Sequence, residues 1–348
     1  MQARIHSDVQ AYYGQVLKTK DDLQTTACCT DDAVPGYLKP KLALIADEIH
    51  ARFYGCGSPI PHALEGLTIL DLGCGTGRDA YLCAQLVGPT GRVIGVDMTQ
   101  NQLDVALAHV DEQMATFGFK EKKVDFRLGY MEALHDAGVA DASVDVVISN
   151  CVLNLAPDKD AVFREIFRVL KPGGELYFSD VFVDRRLPEE MRTDPVMVGE
   201  CLGGAMYTED FRRLMRRMGI RDYRLMSSRI IEPSADSIQQ RMGNARFYSM
   251  TVRAFNLPAL EDRCEDYGQV AWYLGSIEAS PHRFVLDDHH TFIAGKPMPV
   301  CANTASMLQD TRFKAHFRVE GDTSVHFGLF DCDPVQTATD QVEAGACC

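Results

Sequence analysis

Between Leu67 and Val87 the chain runs through an apolar stretch, a glycine-rich loop and a helix-spaced segment without interruption. Leu67–Leu72 (LTILDL) reads as a buried strand. Asp71-Leu72-Gly73-Cys74-Gly75-Thr76-Gly77-Arg78-Asp79 reads as a tight loop, and Arg78–Val87 as a helix. Glycines at such a turn let the backbone approach a ligand, and the helix start offers N–H groups to negative charge. Further strands are expected at Arg92–Asp97, Val124–Leu128, Val144–Asn150 and Glu175–Val181. Helices are expected at 101–117 and Lys159–Leu170, the latter stopped by Lys171-Pro172-Gly173-Gly174. Strand–helix alternation of this kind predicts an α/β fold with a parallel, doubly wound sheet.

The flanks have a different character. Residues 1–65 read as a helical lead-in, with Ile45, Ile49 and Phe53 at the four-residue spacing of one helix face. Residues 66–220 hold the sheet domain, and helices are expected near Pro188–Met197 and Thr208–Met218. Residues 221–330 alternate like strands (Phe247 to Ala254 above all) and read as a smaller β-rich domain. Residues 331–348 read as a flexible tail ending in Cys347-Cys348. At 348 residues the chain has room for more than one core.

Charge and composition narrow the partners. The formal net charge is −14, which repels nucleic acid and anionic membranes. No apolar run long enough to span a bilayer is present, and residues 1–10 carry no signal-peptide core. A cytoplasmic, reducing setting is therefore expected, where twelve cysteines are not a disulfide framework. No C-x-x-C occurs, so zinc-ribbon and thioredoxin readings lose their signature and no structural metal is expected.

Asp97 closes the second expected strand, 20 residues after Gly77. A carboxylate there can accept both hydroxyls of a ribose. The loop is G-x-G-x-G and carries no Walker Lys-Ser/Thr pair, so the residues alone leave the nucleotide open. With the KPGG turn before strand five, the DLGCGTG loop resembles class I S-adenosylmethionine-dependent methyltransferases over roughly residues 60–185. That resemblance implies a Rossmann-like fold. It puts Gly73 and Gly75 against the methionyl part of S-adenosylmethionine, Asp97 on the ribose and Met98 on the adenine. It places Met131 and Glu132 as an adenine cap and Asn150 among the cofactor residues; Arg78 suits either the methionine carboxylate or a solvated position at the helix start.

Three cysteines lie in expected loops instead of apolar faces. Cys151 ends strand four, Cys56 sits between Gly55 and Gly57, and Cys201 precedes Leu202-Gly203-Gly204. Such thiolates form a soft-ligand set. Together with Tyr12-Tyr13-Gly14, Asp22-Leu23-Gln24-Thr25 before Cys28, Tyr54-Gly55-Cys56-Gly57, Ser149-Asn150-Cys151-Val152-Leu153-Asn154-Leu155, Glu200-Cys201-Leu202-Gly203-Gly204-Ala205 and Cys347-Cys348, the chain resembles arsenite methyltransferases along nearly its whole length. By that resemblance the catalytic cysteines are Cys28, Cys56, Cys151 and Cys201. Cys151 and Cys201 hold trivalent arsenic throughout, Cys56 joins as a third sulfur, and Cys28 and Cys56 can pair as a disulfide during turnover. Arsenic under three thiolates is pyramidal and keeps a lone pair, which can attack a sulfonium methyl carbon without a general base. The expected products are mono- and dimethylated, or trimethylated, arsenicals, in the service of arsenic detoxification. Glutathione or thioredoxin is the implied reductant.

Other residues carry blander expectations. Cys74 reads as a small loop residue, and Cys83, Cys264, Cys301 and Cys332 as structural or incidental. Cys29 adjoins Cys28 and competes for its role. Tyr54 suits either cofactor contact or core packing. His289 and His290, if on a strand, face opposite sides. Arg212, Arg213, Arg216 and Arg217 read as a solvated helix face. Two rival functions remain: methylation of an organic small molecule on C, N or O, which leaves the cysteines without purpose, and a thiol metalloid-binding protein without turnover, which leaves the glycine loop and Asp97 unexplained.

Overall fold

A computed structural model describes residues 34–53, 55, 57–233 and 236–331. In it, β1 (Thr68–Leu72) lies between β2 (Arg92–Asp97) and β4 (Val144–Asn150), all parallel. Outside them lie β3 (Val124–Leu128) and β5 (Leu170–Val183), giving the order β3-β2-β1-β4-β5. β1 is buried from Ile69 to Leu72 because helices cover both faces of a parallel sheet. Strand order reverses between β1 and β4, so a crevice opens at their carboxyl ends.

Local chemistry sets the helices that flank this crevice. Short α1 (Lys39–Leu42) and α2 (Asp47–Ala51) precede the sheet. α3 (Arg78–Val87) starts from Gly77, whose φ of 87° only glycine adopts freely, and nearly every residue of it is buried. The single helix expected over 101–117 is two, α4 (Gln100–Ala108) and α5 (Val110–Thr116), joined at His109, whose ring Nε2 lies 3.1 Å from Glu48 Oε2. α6 (Lys159–Val169) is capped by Asp158, which accepts the N–H of Ala161 at 2.9 Å; such a cap contributes about 1 kcal/mol. Its Val162, Phe163, Ile166 and Val169 face the sheet.

Beyond β5 come α7 (Glu189–Thr193) and α8 (Pro195–Gly199), where one helix was expected. Asp194 separates them with extended backbone and accepts the N–H groups of Val196 and Met197. β6 (Met206–Tyr207) leads into α9 (Thr208–Arg217). The arginines of α9 do form a solvated face, each beside an acid: Arg212 with Glu209, Arg213 with Asp210, Arg216 with Asp262, Arg217 with Asp160.

The main sheet does not stop near residue 220. β7 (Tyr223–Ile230) and β8 (Phe247–Phe255), with α10 (Asp236–Met242) between them, extend it, β8 running antiparallel to β5 from Phe247 to Phe255. These strands alternate like a separate β unit because one-sided antiparallel pairing also has period two; only the pairing partner tells the cases apart. The remaining strands form small antiparallel sheets. β10 (Gln269–Tyr273) lies between β13 (Pro297–Val300) and β14 (Phe317–Glu320). β9 (Glu265–Asp266) pairs with β15 (Gly328–Leu329), and β11 (Arg283–Val285) with β12 (Thr291–Ile293). With α11 (Ala302–Gln309) they enclose Tyr273, Phe284, Phe292, Phe313 and Phe317, and Phe255 of β8 joins that core. His289 and His290 are not on a strand: both backbone N–H groups bond Asp287 in a loop, with His290 buried and His289 exposed.

Candidate active site

The crevice at the ends of β1, β2 and β4 is a cleft of about 1010 Å³, mouth included, and the glycine loop forms its floor. Gly73 and Gly75 have φ of +68° and +53°. A Cβ on Gly73 would lie 2.5 Å from Val152, so glycine there lets the loop touch the segment after Cys151. A Cβ on Gly75 would meet nothing within 4 Å; that side of the loop opens on the cleft.

Asp97 anchors the loop as well as facing the cleft. Its Oδ2 accepts Gly75 N–H at 2.9 Å and its Oδ1 accepts Thr99 N–H at 2.8 Å. Desolvation by the surrounding protein pushes its carboxyl up, against the pull of those N–H groups. An ionised carboxylate is acceptor-only, and its oxygens can take a hydroxyl donor as well as an N–H. Met98, Met131, Glu132 and Asn150 also line the cleft. Asn150 is in addition a strut, donating from Nδ2 to Asp79 Oδ2 at 2.8 Å and to the Gly57 carbonyl at 3.1 Å.

Arg78 departs from expectation. It does not line the cleft: its Nη2 lies 2.8 Å from Asp79 Oδ1, and its guanidinium sits 3.1 Å from the centre of the Phe53 ring. A neighbouring acid and an aromatic face hold it instead. Among the described residues, the cationic one lining the cleft is Arg52. Asp71, quoted only as part of the loop motif, is a cleft residue of its own. It is 2 % exposed, its Oδ2 has no hydrogen-bond partner among the described residues, and burial pushes its carboxyl well up, helped by Asp79 and Asp97. An orphaned buried carboxylate oxygen fits a cationic ligand group. Its signal in the sequence was a lone acid inside the run Thr-Ile-Leu-Asp-Leu.

Cys151 and Cys201 converge at one end of the cleft. Cys151 is 2 % exposed and lines it; Cys201 is fully buried, and its Sγ donates to the Cys151 carbonyl at 3.6 Å. Among the described residues only Ala63, Ala142, Cys151 and Cys201 are non-glycine with positive φ, and the two cysteines stand at +59° and +60°. A left-handed backbone at a side chain with a Cβ costs about 1–2 kcal/mol. Cys151 is disulfide-bonded here, whereas Cys74, Cys83, Cys201, Cys264 and Cys301 are not. Burial pushes the Cys74 and Cys83 thiols well up, which keeps both protonated.

Asn154 braces both cysteine loops, and sequence reasoning gave it no role beyond its motif. Its backbone N–H donates to Asp180 Oδ2 at 3.1 Å, and its Nδ2 donates to Asp180 Oδ1 at 2.7 Å and to Val181 O at 2.6 Å. A Cβ on Gly204 would lie 2.2 Å from the Asn154 carbonyl oxygen, so the loop after Cys201 packs directly on it. Cys28, Cys29, Cys56 and Tyr54 lie outside the described residues, as do Cys332, Cys347, Cys348 and the pairing expected between Cys28 and Cys56. Gly55 and Gly57 are described, and a Cβ on them would come within 2.7 Å of Asn150 and Ser179 respectively.

Residues 63–219 match the family model for a methyltransferase domain, and residues 267–348 that for an arsenite methyltransferase C-terminal domain. An arsenite methyltransferase of Aquipseudomonas alcaligenes is 54% identical over 94% of this chain and 94% of its own length. One of Mus musculus is 43% identical over 90% of this chain and 83% of its own. A crystal structure of an arsenic(III) S-adenosylmethionine methyltransferase from Chlamydomonas reinhardtii superposes with a TM-score of 0.83 at 49% identity. That match covers 86% of this chain and all of the other.

Proposed function

The chain belongs to the arsenite methyltransferase family, and from that premise we propose that it methylates trivalent arsenic held by Cys151 and Cys201, with Cys56 as third sulfur. The observation that carries this reading is the approach of Cys201 Sγ to within 3.6 Å of the Cys151 carbonyl, at the end of a cleft lined by Gly75, Asp71 and Asp97.

The cleft residues fit S-adenosylmethionine, which supplies a methyl group on a sulfonium when bound. Asp97 accepts ribose hydroxyls, Asp71 faces the cationic amino group, and Met98 and Met131 give the adenine an apolar wall. Arg52 is the residue in place for a carboxylate. The cysteines do the rest by position. Two thiolates and a third sulfur keep arsenic pyramidal with its lone pair free, so this chain need not supply a base. Holding both reactants in one cleft removes several kcal/mol of entropic cost. After one methylation an arsenic–sulfur position has become carbon, and Cys56 is then less needed.

The disulfide at Cys151 supports a requirement for a thiol reductant of the glutathione or thioredoxin kind, because only a thiolate can bind arsenic. Each carbon–arsenic bond made from the lone pair also oxidises arsenic formally by two electrons, which two thiols return as a disulfide. A reducing compartment such as the cytoplasm suits this chemistry. Among the described residues no helix is long and apolar enough to cross a membrane. Detoxification of arsenite is the role that follows.

The test is a product assay: arsenite, S-adenosylmethionine and glutathione with purified protein, the arsenic species separated by chromatography and detected by element. Mono- and dimethylated arsenic are expected, and none from Cys151→Ser. Full activity in Cys151→Ser would overturn the assignment.

A further inference from the structure

The C-terminal part of the chain contains a second pair of thiols that the methyl-transfer site does not use. Cys301, expected to be structural or incidental, is fully buried at the start of α11. Its Sγ accepts the Thr304 N–H at 3.5 Å and lies 3.3 Å from Thr304 Oγ1, with Arg224 Nη2 at 4.0 Å. The Cys264 thiol hydrogen-bonds to the same sulfur. That hydrogen bond, with help from Thr304 and Arg224, pulls the Cys301 thiol down to about 4 in spite of its burial. A thiol held this way is anionic near neutral pH.

The two sulfurs are held from several sides. Glu261 N–H donates to Asn303 Oδ1 at 2.9 Å, and Asn303 Nδ2 donates back to the Glu261 carbonyl at 2.8 Å, which ties the strand of chain before Cys264 to α11. Phe330 N–H donates to the Cys264 carbonyl at 2.8 Å. Neither thiol is in a disulfide. Cys264 is half-buried and opens on a cleft lined by Arg221, Arg263, Asn303, Leu329 and Phe330, none of which lines the methyl-transfer cleft.

We propose that Cys264 and Cys301 form a second, two-sulfur binding site for trivalent arsenicals, apart from the methyl-transfer cleft. Two adjacent thiols satisfy a trivalent arsenical that has two exchangeable positions and one carbon substituent. Arsenite would keep its third position open to an outside ligand, so the pair favours monosubstituted arsenicals, the chemical class of the first methylation product. The reaction is ligand exchange without redox change: two As–OH bonds break and two As–S bonds form, one hydroxyl leaving as water with the Cys264 proton and the other as hydroxide, which takes a proton from solvent. Arsenic stays trivalent. The biological ligand rests on the arsenic-handling reading above; the two-sulfur geometry does not.

The test uses the full chain, reduced with a trialkylphosphine and desalted, with phenylarsine oxide as probe. Arsenic per chain is measured by element-specific mass spectrometry. In a Cys151→Ser/Cys201→Ser background, adding Cys264→Ser is expected to remove about one equivalent of bound arsenic. Independently, the probe is expected to protect Cys264 of the unmutated chain from iodoacetamide, read by peptide mass spectrometry, which guards against a variant that fails to fold. Equal arsenic retention in folded variants, or equal alkylation of Cys264 with and without probe, would overturn the proposal. The product assay of the unmutated chain separates the two readings: absent methylation with Cys264 protected sinks the transfer assignment and leaves this site standing.

Discussion

The left-handed backbone at Cys201 is a cost the fold carries at a residue proposed here to bind arsenic. Strain of this kind persists where surrounding structure imposes it, and it concentrates at functional sites. It predicts an unusual order of stabilities. At an ordinary buried position an alanine variant is more stable than a glycine variant by about 0.5–1 kcal/mol. At Cys201, glycine accepts φ of +60° and alanine does not, so Cys201→Gly should be at least as stable as Cys201→Ala in urea titrations, with both inactive toward arsenite. Asp97 predicts a separate effect. Its two oxygens each take a backbone N–H, from Gly75 and Thr99. An amide offers one acceptor, so Asp97→Asn should weaken S-adenosylmethionine binding by roughly tenfold or more, the equivalent of about 1.4 kcal/mol. Calorimetric titration of the cofactor reads this directly.

At the scale of elements, the end of β5 holds the two cysteine loops through Asp180 and Asn154. Burial raises the Asp180 carboxyl from an ordinary value near 4 to about 7, against the pull of the N–H groups of Val181 and Asn154. The folded state therefore holds this proton across a range where the unfolded chain has lost it. Between about pH 4 and pH 7 the native state binds more protons than the unfolded one, so this group makes stability fall as pH rises, with no further loss above the folded value. Asp180→Asn does not titrate. Urea midpoints for both proteins across that range should show the unmutated chain losing stability relative to the variant as pH increases. A constant difference would contradict the role given to Asp180.

Across the whole molecule, one buried acid joins the two cores. Glu175 of β5 is fully buried and forms ion pairs with Arg253 of β8 and with Arg312, just after α11. Arg312 also donates to the His62 carbonyl at 3.1 Å, so the same cluster reaches the segment before β1. Removing one member of a buried ionic group leaves uncompensated charge and costs about 3–5 kcal/mol. Glu175→Ala should lose that much in equilibrium urea unfolding. The loss should appear in the main sheet and the C-terminal unit together, because both arginines are left unpaired. Separate transitions by near-ultraviolet dichroism and Trp272 fluorescence would show instead that the two cores do not depend on this link.

Much of this was legible in residues read in order. The strand, glycine loop and helix between Leu67 and Val87 and the acid at Asp97 express local requirements: period, a backbone that must turn, a charge at a strand end. Cys151 and Cys201 stood out because loop positions beside glycine or at a strand end are poor places for a merely apolar thiol. Pairing and burial depend on residues far apart in the chain and were decided only by the tertiary structure. β7 and β8 alternate in the same way whether they extend the main sheet or build their own. Arg78 looks available until Phe53 and Asp79 close on it. Asp71 and Asp180 look like ordinary acids until desolvation raises their carboxyls. Cys264 and Cys301 become a pair only because α11 folds back onto the segment before β9. Local pattern fixes which backbone forms; which side chains then lose water together is settled by what the fold brings beside them.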